Sequence, residues 1–183
     1  MLITILILLF AFRKRLVDFT LHRYRSLLES LLQQGYQFIT FEQYCEQKSS
    51  PHSSITSSPH SSITSSPKYI LLRHDVDLKA ANSLATAQIE HELGISATYY
   101  FRVVPQSNQP DIIRAIAALG HEIGYHYEDM ALMQGDTEKA YAHFQQQLNY
   151  FRQFYPVRTI CMHGAPTSQW DGKEHWKNYD YRD

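Results

Sequence analysis

Tyr69-Ile70-Leu71-Leu72-Arg73-His74-Asp75-Val76-Asp77 opens as an apolar run and ends in charge, and the chain after it keeps alternating between two kinds of segment. The run reads as a strand from Tyr69 to about Val76, followed by a helix from Ala80 to Leu93 that Gly94 ends. A second strand, Ala97 to Val103, leads to a helix that Pro110 opens and Gly120 follows. A third, Glu122 to His126, leads to a long helix over about Thr137 to Tyr155, and a fourth, Arg158 to Met162, stops at His163-Gly164. Strands alternating with helices of this length predict an α/β fold: a parallel sheet with flanking helices and right-handed crossovers. Whether such a sheet lies flat or curls into a barrel is left open by the pattern.

On the N-terminal side, Thr20 is placed to cap a helix running to about Gln34. Tyr24, Leu27, Leu28, Leu31 and Leu32 form its apolar stripe, and Gly35 stands where the chain must leave the helix. Tyr36 to Ile39 reads as a short strand and Phe41 to about Gln47 as a second small helix, so residues 18–48 form an N-terminal helical segment. Residues 49–67 carry the octet Ser-Ser-Pro-His-Ser-Ser-Ile-Thr twice, too polar and too often broken by proline to fold alone, and are expected to be a surface loop. Residues 1–17 begin with an apolar run, Met1 to Phe12, that Arg13-Lys14-Arg15 closes. Twelve residues, all apolar but Thr4, fall short of the roughly 20 that span a bilayer. The basic residues also follow the run, whereas a secretory signal carries them before it. An interfacial anchor, an extra core segment and an upstream start remain as alternatives.

The net charge of −1 gives no electrostatic reason for nucleic acid to bind. Cys45 and Cys161 are far apart and lack metal-type spacing, so two free thiols are expected, which fits a cytoplasmic location, with membrane association as the alternative.

Sites in parallel α/β folds form where strands end and loops begin. Here Asp75 and Asp77 close the first strand, His126 and Glu128 close or follow the third, and His163 follows the fourth. Side chains alternate along a strand, so Arg73, Asp75 and Asp77 share a face, with same-face neighbours about 7 Å apart. That spacing suits Asp77, nearer the mouth, as a metal ligand and Asp75 as a general base. The plainer alternative pairs Arg73 with Asp75 and uses Asp77 to cap the next helix. On the third strand Glu122, Gly124, His126 and Glu128 share a face, and Gly124 leaves room for something to approach closely. Imidazole with carboxylate suits a hydrolytic zinc or similar divalent ion. His163 fits metal or substrate, Arg102 fits substrate or a carboxylate, and Tyr127 and Trp170 are candidates to stack on a sugar ring. His121 lies on the opposite face and reads as structural, and Cys161 as a small core residue.

With Arg73-His74-Asp75-Val76-Asp77, Gly94-Ile95-Ser96-Ala97-Thr98-Tyr99-Tyr100-Phe101, Gly120-His121-Glu122-Ile123-Gly124-Tyr125-His126 and His163-Gly164 in this order, the chain resembles the polysaccharide deacetylase family (carbohydrate esterase family four). The resemblance covers about Tyr69 to Pro166. It implies a partial (β/α) barrel over residues 68–183 and a divalent metal, usually zinc, used to remove N- or O-acyl groups from a carbohydrate. It implies Asp75 as base and Asp77 and His126 as ligands. Val76 separates aspartates that are adjacent in the usual form, and the position of the family's second histidine holds Met130, so the third ligand is expected to be His163, then Glu128, then Asp129. Members also carry later strands bearing an arginine, an aspartate and an acid histidine that residues after Gly164 do not supply. The expectation is therefore a shortened relative with weak or absent turnover, or a non-catalytic one that binds carbohydrate or a partner protein. Oligomeric state is left open.

Overall fold

Alternation along the third predicted strand shows how the molecule is layered. Ile123, Tyr125 and Tyr127 turn to one side and are buried among helices, while Glu122, Gly124 and His126 turn to the other. A computed structural model describes residues 20–49, 67–164 and 167–181. The octet repeat, apart from its first residue Ser49, and the apolar N-terminal run lie outside these residues.

The elements in chain order are α1 (Leu21–Gln33), β1 (Tyr36–Ile39), α2 (Phe41–Ser49), β2 (Lys68–Leu71), β3 (Arg73–Val76), α3 (Ala80–Glu92), β4 (Thr98–Phe101), α4 (Pro110–Ala118), β5 (Glu122–Tyr127), α5 (Asp129–Leu132), α6 (Thr137–Phe151), β6 (Ile160–Met162) and a 3-10 turn, Gly172–Trp176. All strand pairs are parallel, and the main sheet has the order β3-β4-β5-β6. The sheet curls as half a barrel, with helices on its convex side, an α/β arrangement compatible with a partial barrel.

Three differences from the sequence expectation have physical causes. The strand expected from Tyr69 to Val76 is two: β2 pairs with β1, β3 pairs with β4, and Leu72 between them accepts the Thr98 amide at 3.0 Å. The helix expected to reach Tyr155 stops at Phe151, beyond which the Arg152 guanidinium donates to the Val157 carbonyl and folds the chain back. Pattern reading also passed over α5, which forms where Asp129 is buried against Tyr125 and His143.

Helix ends follow local chemistry. The Thr20 hydroxyl accepts from the Arg23 amide at the start of α1, Gly35 leaves that helix at φ +78°, and Asp136 caps α6 through the Lys139 amide. The core sits between sheet and helices, where Val76, Tyr99, Phe101, Ile123 and Tyr125 meet Ile113, Ile116, Phe144 and Phe151. A smaller cluster of Tyr24, Leu28, Ile89 and Ile95 docks α1 onto α3. Among the described residues no helix is long and apolar enough to cross a membrane.

The floor of the concave side is polar. Glu122 accepts from Thr98 Oγ1 at 2.7 Å, from the Thr159 hydroxyl, and from the Glu42 amide at 3.0 Å, which ties three strand regions and the start of α2 to one carboxylate. The space at Gly124 is taken by the protein itself. A Cβ there would lie 2.3 Å from Tyr100 Cε1 and 2.9 Å from the Thr159 carbonyl oxygen. Gly124→Ala is therefore expected to cost about 1–3 kcal/mol by overpacking, read from chemical denaturation. Unchanged stability would show that the Tyr100 ring has room to yield.

Candidate metal centre

Register brings the chemistry together. Asp75 stands level with Tyr100 and Gly124 across the sheet, and His126 is level with Cys161. Beyond β6 the His163 amide donates to the Tyr127 carbonyl at 2.8 Å, which continues the ladder and sets the His163 ring beside His126. Asp77 follows β3 by one residue, and Lys79, not Asp77, occupies the N-cap position of α3.

Three side chains from three strand ends form a compact triangle. His126 Nε2 lies 3.1 Å from His163 Nδ1 and 3.7 Å from Asp77 Oδ1, and His163 Nδ1 lies 3.3 Å from Asp77 Oδ1. Ligand atoms about 2.0–2.1 Å from a tetrahedral zinc stand about 3.3 Å apart, so all three edges match that spacing within a few tenths of an ångström. Asp77 Oδ1 is shut off from solvent yet has no hydrogen-bond partner among the described residues. A carboxylate oxygen in that position is costly unless a cation or donor meets it.

His126 is prepared for ligation. Its Nδ1 faces the Cys161 carbonyl at 3.0 Å, an acceptor only, so Nδ1 carries the proton and Nε2 presents its lone pair to the triangle. Burial holds its imidazole below the usual histidine value, and the Asp75 carboxylate opposes that shift. A neutral imidazole is the form that binds metal.

Asp75 borders the triangle, with Oδ2 3.9 Å from His126 Nε2, and also accepts from Arg73 at 2.8 Å. The plainer pairing with Arg73 is thus made, by the same carboxylate oxygen that lies beside the triangle. Arg102 grips Glu128 through two hydrogen bonds of 2.9 and 2.7 Å, so of its two expected roles the structure shows the carboxylate contact, and the second choice of third ligand is engaged with it. The third choice, Asp129, is committed to Tyr125 at 3.0 Å and to His143 at 2.5 Å, and burial pushes its carboxyl up. Met130 is buried.

A cleft of about 540 Å³ opens beside the triangle, and His163, Tyr127, Glu128 and Trp170 are among its walls. Tyr127 is largely buried and its hydroxyl accepts from Trp176 Nε1 at 2.8 Å, so it offers the cleft a braced wall. The Trp170 ring rests against Gly135 and is 39% exposed, the more available of the two aromatic rings. His121 is structural: its Nδ1 accepts from the Ala97 amide and its Nε2 donates to the Ala87 carbonyl, a neutral tautomer that burial favours.

Two features escaped the sequence reading. Cys161 is not a core residue; it is half-buried and forms a second donor group with Asp75 and His126. Its signal was present in the alternation that puts residues 161 and 163 on one face, but its place opposite His126 needs the cross-strand register. His175, in the C-terminal turn, is fully buried among Tyr127, Tyr141, Phe144 and Trp176, and no sequence signal marks it.

Comparison of the chain with family models, with curated proteins and with solved structures finds no match in any of the three.

Proposed function

We propose that the chain holds a divalent ion, with zinc the best fit to its nitrogen and oxygen donors, on Asp77, His126 and His163, and hydrolyses an amide- or ester-linked acyl group of a carbohydrate. The observation that carries this is the donor triangle with its unpartnered Asp77 oxygen. The motif order around it and the aromatic-walled cleft beside it support the acyl-sugar substrate class.

An ion in such a seat supplies Lewis acidity toward a carbonyl and toward water. The protein's own part is positional and acid–base. Asp77 and the two imidazoles hold the charge from three separate strands. Asp75 stands next to them and outside the triangle, where it can take the proton of an attacking water. The Arg102–Glu128 pair fixes the ends of β4 and β5 against each other, and the Trp170 face is placed to cover a pyranose ring.

Zinc calorimetry on metal-free protein is the test. Asp77→Ala and His126→Ala are each expected to weaken binding by roughly 100-fold or more, because outer partners of metal ligands alone contribute about 10–100-fold. Asp75→Asn is expected to keep the ion but lose acetate release from an N-acetylated chito-oligosaccharide. Zinc affinity unchanged in both ligand variants, or acetate release that survives chelation, would remove the proposal.

One observation favours a second reading, a non-catalytic relative that binds sugar or a partner protein: the Asp75 oxygen needed as base already accepts from Arg73. Sugar binding without any acetate release in wild-type protein supports that second reading.

A further inference from the structure

The half-buried Cys161 lies at the centre of β6, and its backbone already serves the site, since its carbonyl receives the His126 Nδ1 proton at 3.0 Å. Its side chain leaves on the concave side, where Asp75, His126 and Cys161 each bring one ligand atom within 4.8 Å of the others. Asp77, His126 and His163 meet the same condition. Both sets need His126, and with Nδ1 committed to the carbonyl only Nε2 is left. One lone pair holds one ion, so the two sets are alternative seats for a single ion.

The seats differ in chemistry. The outer one offers two imidazoles and a carboxylate, a donor set for zinc and similar ions. The inner one replaces an imidazole with sulfur, and thiolate ligands select thiophilic ions. The seats also differ in consequence: the inner one uses Asp75 as a ligand, the side chain that the outer arrangement leaves available. The Cys161 thiol makes a weak competing contact, 3.7 Å to the Met162 carbonyl.

We propose that Cys161 gives this centre a second, inner seat for thiophilic divalent ions, formed with Asp75 and His126, in which the ion is held and the general base is consumed. Seating an ion there forms a sulfur–metal bond and breaks the S–H bond. The proton leaves to solvent and nothing is oxidised or reduced. The proposal rests on the reading that Asp77, His126 and His163 form the outer seat, and it makes cadmium an inhibitor that shares His126 with the native ion.

The test titrates metal-free protein with cadmium under reducing conditions in a Cys45→Ser background, so that Cys161 is the one thiol left. The ultraviolet sulfur-to-cadmium charge-transfer band is expected to grow to saturation at equimolar cadmium, to vanish in Cys161→Ser and in His126→Ala, and to persist in His163→Ala. Cadmium is also expected to slow alkylation of Cys161, a readout that needs no second variant. Absence of the band, its persistence in His126→Ala, or alkylation that cadmium does not slow would overturn the inner seat. Zinc calorimetry on the same protein separates the two failures. Zinc binding that is lost in Asp77→Ala, with no cadmium band, removes the inner seat and leaves the outer one. Absence of both zinc binding and the cadmium band removes the whole centre.

Discussion

Glu90→Ala is expected to lower the stability of the fold by about 3–5 kcal/mol, since each buried donor that loses its acceptor costs about 1–3 kcal/mol. Glu90 has no exposed surface and joins three elements besides its own. Its carboxylate accepts from the Tyr24 hydroxyl on α1, from His74 Nε2 on β3 at 2.8 Å and from the Tyr99 hydroxyl on β4 at 2.7 Å. Burial, helped by this carboxylate, pushes the Tyr24 and Tyr99 phenols far above the usual tyrosine value, so both remain donors at any working pH. Removing the acceptor takes from these donors the carboxylate they share, in a site where the His74 and Tyr99 rings stack at 4.4 Å and the Thr86 hydroxyl, 3.1 Å from the Tyr99 hydroxyl, is a weaker substitute. Urea denaturation is the measurement: the midpoint is expected to fall with an unchanged slope. A loss below about 1 kcal/mol, the worth of one ordinary hydrogen bond, would show that the three contacts do not act as a hub.

Acid is expected to weaken the protein through His175. Burial among four aromatic rings, with neither ring nitrogen hydrogen-bonded among the described residues, lowers its pKa from 6.5 to about 4. Between those values the unfolded chain binds the proton and the folded chain does not, so stability from this group is complete above pH 6.5 and is lost as pH falls toward 4. At about 1.36 kcal/mol per pH unit, the loss approaches about 3 kcal/mol. Both tryptophans of the chain, Trp170 and Trp176, flank this histidine, so their fluorescence reports the loosening of the same segment. His175→Phe, an apolar ring of similar size, is expected to flatten the profile between pH 6.5 and 4. An equally steep acid loss in that variant would place its origin elsewhere.

Much of the fold was legible because burial on one face imposes a period. Tyr99 and Phe101, or Ile123 and Tyr125, could only face the helices, and so Glu122 and His126 had to face the other way. The cluster of Asp77, His126 and His163 was legible for the same reason, since polar side chains at strand ends point where loops gather. What stayed hidden depended on contacts between strands distant in sequence. Nothing near Leu72 announces that the chain changes partners there, because the cause is the Thr98 amide, 26 residues on. Arg102 read as a contact for substrate or for a carboxylate, and the carboxylate it meets, Glu128, is also 26 residues on. Gly124 was correctly read as a place of close approach, but the visitor is Tyr100. His175 carries no periodic mark, and its burial follows from how the C-terminal turn lies on α5 and α6.

The placement of Glu122 and His126 on one strand divides labour along it. Glu122 binds the bottom of the half-barrel together, and His126, four residues later, reaches the triangle at the top. At about 3.3 Å per residue they are roughly 13 Å apart, farther than the distance at which substitutions usually influence one another. The upper loops are thus free to drift in sequence and acquire new ligands or substrates while the base keeps the curvature, a modularity that lets chemistry diversify on an unchanged frame.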